Sequence, residues 1–231
     1  MNKIKIQVIV PLYNMENYIS QTMDSLLVQT FSDFEVLCIN DGSTDASLSI
    51  LENYAKKDKR IKIYSKENGG IADARNFGLS KVTAPYFAFL DSDDTVELDM
   101  LEKLYQKAIE SDADVVTCDF FWTYPNREVI QKDGPYQSKE ELLISMFATL
   151  WNKLYRTDWV KSLNIAFPTG YRYEDASFLY KMIPYLNKWA YVELKNAIRA
   201  MRSDKLLTGR EGSARQLGMR EIETDIEPYL A

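Results

Sequence analysis

The sequence predicts an α/β fold in which a mostly parallel central sheet is flanked by helices, with a helical extension at the C-terminal end. Short β-branched runs alternate with stretches whose apolar residues recur at helical spacing, the mark of strand–helix–strand units. The runs are near-continuously apolar, as expected of parallel strands covered on both faces. With 231 residues and 46% hydrophobic composition, the chain also has ample material for a core.

Taken in order, residues 4–10 (IKIQVIV) form a strand ended by Pro11, and Met15, Ile19, Met23, Leu26 and Leu27 then mark a helix. FEVLCIN is a second strand. DGSTD is a turn with capping side chains, and Leu48, Leu51 and Ala55 share one helical face. IKIYS leads through KENGG into the helix IADARNFGLS. PYFAFL leads into an acidic cluster and a helix starting near Val96, with Leu98, Leu101, Leu104, Tyr105 and Ala108 on one side. DVVTCDFFW closes this first half, residues 1–121. In the second half, 122–194, TYPNREVIQKDGPYQ reads as a polar loop, and Ser138 and Glu141 have capping-box spacing before a helix. A further helical stretch contains WNKLYRTDWVKSL, and KWAYVEL reads as a strand. Residues 195–231 form the expected helical extension. Between 195 and 220 it carries seven basic side chains against two acidic, so it reads as a solvated helix or as a stretch able to rest on anionic lipid.

Composition excludes several functions. A net charge of −6 argues against nucleic acid as a partner. The absence of histidine removes a Ser-His-Asp relay and every His-ligated zinc site, so acid–base or metal chemistry falls to carboxylates, which favour Mg2+ or Mn2+. Cys38 and Cys118 sit in apolar runs and read as buried hydrophobes in a reducing, cytoplasmic interior. The N-terminal apolar run is too short for a signal peptide, and no stretch approaches the about 18 apolar residues of a membrane span.

In open α/β sheets ligands bind beyond the carboxyl ends of the strands, which here carry Pro11-Tyr13-Asn14, Asn40-Asp41, Lys66-Asn68 and Asp91-Asp93. Asp91, Asp93 and Asp94 repel one another unless a cation intervenes. Alternate side chains of an extended stretch share a side, so Asp91 and Asp93 can reach one ion bridged to phosphate oxygens, while Asp94 and Thr95 suit a helix cap. Asp41 reads alone as turn chemistry and, beside the other strand ends, as an acceptor for the N–H of a nucleotide base. KENGGIADARNFG lacks the signatures of a P-loop and of a dinucleotide fold, but Arg75 within it could hold Asp41 or a pyrophosphate. Glu174 and Asp175 precede an apolar helical face. They read as caps or, histidine being unavailable, as a source of the general base.

In this order, VIVPLYNMENYI, NDGSTD, NGGIADARNFG, FLDSDD, WNKLYR and YEDASF resemble the inverting family 2 glycosyltransferases of the GT-A fold, over residues 5–193. The resemblance implies a nucleotide-diphosphate sugar donor, favouring a UDP-hexose or N-acetylhexosamine, and a glycan or lipid-linked acceptor in surface-polysaccharide synthesis at the inner face of the cell membrane. By matching motif positions, Pro11, Tyr13 and Glu16 fall in the nucleoside segment, Asp41 meets the base, and Asn68, Arg75 and Ser92 lie on the donor side. Asp91 touches the ribose or sugar, and Asp93, with Asp91, holds Mn2+ or Mg2+. Trp151, Asn152, Lys153 and Glu174 are implied on the acceptor side, with helix packing an equal reading for Trp151-Asn152-Lys153, and Asp175 as the base. Residues 1–121 become the nucleotide-sugar half and 122–194 the acceptor half. After AYVE the sequence departs from the family pattern, and REGS at 210–213 is the one trace of a segment closing over the donor. Two neighbouring readings stay open: a non-catalytic sugar-nucleotide-binding subunit, and a sugar nucleotidyltransferase, for which VPLYNMEN lacks the glycine-rich basic loop.

Overall fold

Strand β1 (Ile6–Leu12) is buried along its whole length and pairs in parallel with β2 (Phe34–Asp41) on one side and β4 (Tyr86–Phe89) on the other. These elements belong to a computed structural model that describes residues 4–124 and 126–193 and the backbone of Ile198–Met201. Beyond β2 lies β3 (Ile61–Lys66), again parallel. Alternation along β1 supplies two cores. Val8, Val10 and Leu12 pack with Ile19, Met23 and Leu26 of α1 (Ile19–Leu27), Leu51 of α2 (Ser47–Lys57) and Leu101 and Leu104 of α4 (Met100–Ser111). Ile9 faces the opposite way, with Leu37 and Ile39, toward Ala74 of α3 (Ile71–Lys81) and Phe178 and Met182 of α7 (Glu174–Met182). Burial on both faces is why these strands read as unbroken apolar runs.

Helix α3 lies close to the sheet because residue 78 has no side chain: a Cβ there would stand 2.5 Å from Ile9 Cγ2. Cys38 and Cys118 are buried and free, as their apolar settings predicted.

The structure departs from the sequence reading in two places in the second half and one in the first. Lys153–Arg156, expected to be helical, is strand β9, which runs antiparallel between β4 and β6 (Val115–Cys118); helix α6 (Thr157–Ser162) follows. Trp151, Leu154 and Tyr155 do recur at helical spacing, but a strand enclosed on both faces also buries consecutive residues, and the tertiary setting decided. With β10 (Trp189–Val192) parallel to β6, the sheet order is β10-β6-β9-β4-β1-β2-β3. The expected loop after residue 122 contains β8 (Arg127–Gln131), which forms a hairpin with β7 (Phe120–Tyr124). Its side chains are mostly exposed, so it lacks the apolar alternation that would have betrayed it. The helix expected near Val96 begins at Met100, because Thr95–Val96 form the short strand β5.

A second, four-stranded sheet has the order β5-β11-β7-β8, where β11 is Ile198–Met201. Over those four residues a strand takes the place of the expected helical extension; the rest of 195–231, with REGS and most of the basic stretch, lies outside the described residues. Helix α5 (Lys139–Ser145) is capped much as its sequence predicts: Ser138 Oγ accepts from the Glu141 N–H at 3.1 Å, and Glu141 reaches back to the Gln137 N–H at 2.7 Å. Among the described residues no helix is long and apolar enough to cross a membrane.

Candidate active site

The carboxyl ends of β1, β2 and β4 and the start of α3 enclose a cleft of about 330 Å³. Pro11, Tyr13, Asp41, Asn68 and Ser92, all singled out from the sequence, line it together with Leu12, Met15, Gly70, Ile71 and Ala74. Asp41 is buried at its floor. Its Oδ1 accepts from Lys66 Nζ (2.6 Å) and the Gly69 N–H (3.0 Å), and its Oδ2 from the Gly70 N–H (2.8 Å). Asp41 thus satisfies donors at the entry of α3, where a negative charge is favoured, and Oδ2 keeps one acceptor position. Asn68 Nδ2 donates to the Asp41 carbonyl at 2.9 Å, closing the floor. The role of Lys66 in fixing Asp41 was not assigned from sequence, where Lys66 stood out only as a polar group at a strand end.

Glu16 stands apart from the cleft lining. Its Oε2 accepts from the Ala46 N–H (2.9 Å), and its own N–H donates to Asp45 Oδ2 (3.1 Å). These bonds tie the loop after β1 to the start of α2.

Asp91, Ser92 and Asp93 follow β4 and turn sharply, with the Asp94 N–H donating to the Asp91 carbonyl at 3.1 Å. Thr22 of α1 holds the Ser92 carbonyl from below (2.9 Å). Burial first, and the negative charge of Asp91 second, push the Asp93 carboxyl above its usual range. Among the described residues no group of three or more His, Cys, Asp and Glu side chains is assembled for a metal. Two carboxylates, one pressed by the charge of the other, fit the mode in which a hard cation keeps waters and adds phosphate oxygens from a ligand.

Arg75 rises from α3 between two motifs far apart in sequence. One terminal nitrogen pairs with Asp91 Oδ1 at 2.9 Å and the other with Glu174 Oε1 at 2.5 Å. Burial opposes its charge, but Asp91, Glu174 and Asp175 outweigh that and hold the guanidinium protonated. Beside Glu174, Asp175 Oδ1 accepts from the Ala176 N–H at 2.8 Å. Burial, aided by Glu174 and Asp91 and opposed by Arg75, pushes the Asp175 carboxyl up to about 6. A carboxylate of that affinity can take a proton near neutral pH.

Trp151, Asn152 and Lys153 do not reach this site. Trp151 is buried edge-on against Phe120, with ring centroids 4.6 Å apart. Asn152 and Lys153 are 0% exposed, and both bind Asp133 Oδ2, at 2.7 and 2.9 Å. Lys153 Nζ also donates to the carbonyls of Phe147 (2.8 Å) and Thr149 (2.9 Å). Their expected acceptor contact is corrected to a structural one: a buried amine with every donor engaged offers nothing to a ligand. Asp133, the hub of the network, was missed, because an Asp before Gly in a polar stretch reads as an ordinary turn.

The family model described as Glycosyl transferase family 2 matches residues 7–170. The chain belongs to that family. Glycosyltransferase GlyA of Streptococcus pneumoniae is 32% identical to it over 211 residues, covering 81% of this chain and 30% of GlyA. The uncharacterized glycosyltransferase EpsJ of Bacillus subtilis is 35% identical over 186 residues, 75% of this chain and 54% of EpsJ. Among solved structures, residues 1–349 of TarS from S. aureus in complex with UDP-GlcNAc match with a TM-score of 0.76 at 28% identity, over 96% of this chain and 66% of that one. This family 2 chain therefore has the GT-A fold and spans less than two thirds of the length of these relatives.

Proposed function

We propose that the chain transfers a hexose or N-acetylhexosamine from a nucleotide-diphosphate sugar, a UDP-sugar by preference, to an acceptor hydroxyl with inversion at the anomeric carbon. The observation that carries this reading is that Asp175, with its carboxyl near 6, lies within electrostatic reach of Asp91 and Arg75, the sequence neighbours of the cleft-lining Ser92 and Ala74. The nucleoside occupies the cleft, where the free acceptor position of Asp41 Oδ2 receives the N–H of the base beside Pro11, Tyr13 and Asn68. Uracil presents such a donor at N3–H, as guanine does at N1–H, and the UDP-GlcNAc complex of the related TarS favours uracil. Asp175 accepts the proton of the acceptor hydroxyl as its oxygen bonds to the anomeric carbon. The sugar–phosphate bond breaks on the opposite face and the diphosphate departs. Asp93 and Asp91 would hold Mn2+ or Mg2+, which when bound neutralises charge on the diphosphate. Synthesis of a surface glycan on a lipid-linked or free glycan acceptor is the setting we propose.

Screening nucleotide sugars for thermal stabilisation in the presence and absence of Mn2+ tests the donor. A UDP-sugar should raise the melting temperature, by an amount equivalent to about 2.7 kcal/mol at a hundredfold excess over Kd. Equal stabilisation by GDP- and CMP-sugars would defeat the assignment of the base edge. Asp93→Ala is expected to remove the Mn2+-dependent part of donor affinity in calorimetry and to leave the metal-free part in place.

A further inference from the structure

Arg75 has a third feature besides its two ion pairs. It is 5% exposed, and its remaining donor, Nε, is buried without a hydrogen-bond partner among the described residues. Its side-chain bonding is thus concentrated on Asp91, just after β4, and Glu174, the first residue of α7. The guanidinium also lies over the Phe167 ring, 5.9 Å from its centroid, and Phe167 stacks on Phe178 of α7 at 3.9 Å. Close seating of α3 on β1 through Gly78 fixes the base of the arginine. One rigidly rooted side chain therefore spans the only two segments that carry the proposed cation ligands and the proposed base.

From this we infer that Arg75 and Glu174 are positioning residues: the Asp91–Arg75–Glu174 bridge sets the separation between the Asp91–Asp93 turn and Asp175, and Glu174 itself does not contact the acceptor. The inference deepens the proposed function and rests on it for its catalytic meaning, but the bridge has a consequence independent of any substrate. Glu174 is the lever. Its carboxylate is held from outside α7, so its neighbour Asp175 inherits a fixed origin while its own carboxylate forms no ion pair among the described residues. The planar fork of arginine suits two divergent carboxylates, a geometry that a lysine ammonium does not reproduce.

Amide hydrogen exchange on the ligand-free full chain tests the bridge. Glu174→Ala and Arg75→Met should each speed exchange about tenfold in two separate segments, 91–96 and 174–179, because both lose their common tie. Glu174→Gln, whose amide oxygen still accepts from Arg75, should recover most of that protection. Loosening confined to 174–179 would mean that Glu174 merely caps α7 and would overturn the inference. Should Arg75→Met not fold, Glu174→Ala carries the same comparison. The second readout is Mn2+-dependent hydrolysis of UDP-GlcNAc, followed as UDP release. Glu174→Ala should lower kcat about a hundredfold with KM for the donor unchanged, the loss expected from a misplacement on the order of 1 Å, and Glu174→Gln should recover most of it. A raised KM with kcat retained would make Glu174 a substrate contact and sink the positioning role. Undiminished hydrolysis by Asp175→Asn would remove the base assignment and leave the coupled exchange of the two segments standing, so the two claims fail separately.

Discussion

Asp175→Asn is expected to lower turnover about 10²- to 10⁴-fold while donor binding persists, the loss typical of removing a positioned general base. The asparagine can keep the bond from the Ala176 N–H, so the change removes proton affinity more than shape. Two pH signatures accompany it. In the unaltered protein kcat/KM should fall on the acid side of pH 6, because Asp175 must be ionised to accept a proton and its carboxyl is pushed up to about 6. Stability should run the other way. The folded protein holds a proton on Asp175 up to a higher pH than the unfolded chain, whose carboxyl has the ordinary value of 3.8. The folded state therefore binds more protons between those values, and stability falls as pH rises from about 4 to about 6. Above pH 6 the ionised, buried carboxylate destabilises the fold by up to about 3 kcal/mol. Asp175→Asn should remove that burden, raising the melting temperature at pH 7 and leaving it unchanged at pH 4. Near-normal turnover, or equal melting temperatures at pH 7, would contradict the role assigned to this residue.

Lys153→Met should have the largest effect on stability, about 3–5 kcal/mol in urea unfolding, since it strands the Asp133 carboxylate in a fully buried site. Asp133 accepts from Tyr136, Asn152 and the Phe147 N–H as well as from Lys153. These donors fix its place but do not neutralise it. The double variant Asp133→Leu/Lys153→Met should regain part of the loss, because removing both charges of a buried pair is far less costly than removing one. A single variant that lost under 1 kcal/mol would show that the network is not a charge-balanced unit. Because this cluster is separate from the cleft lining, donor affinity of the folded fraction should be unchanged.

The sequence and the structure agree best where local pattern and tertiary burial demand the same thing. Val8 and Ile9 must face opposite cores, so β1 has to be apolar throughout, and α1 and α4 each present one apolar stripe to the sheet. Agreement fails at Lys153–Arg156, where residues spaced like a helix enter the middle of a sheet, and at Arg127–Gln131, where an exposed edge strand has no reason to alternate. The site follows the same logic. Strand ends located the cleft, because loops after parallel strands converge by topology. The link from Arg75 to Glu174 crosses 99 positions of sequence, and no local pattern encodes it. Asn152 and Lys153 show the reverse case: polar residues that look available in a string of letters are consumed by a partner elsewhere in the chain.

The placement of β11 has a consequence for how the protein is made. Ile198–Met201 lies between β5 and β7, antiparallel to one and parallel to the other, although it is separated from each by at least 70 positions of sequence. During synthesis the ribosome delivers Thr95–Val96 and Phe120–Tyr124 long before the segment that joins them. Until then each must wait with backbone groups unclaimed, a natural point of attachment for a chaperone or for another nascent chain. A polypeptide that stopped short of Ile198 would keep those edges open permanently and should be prone to self-association.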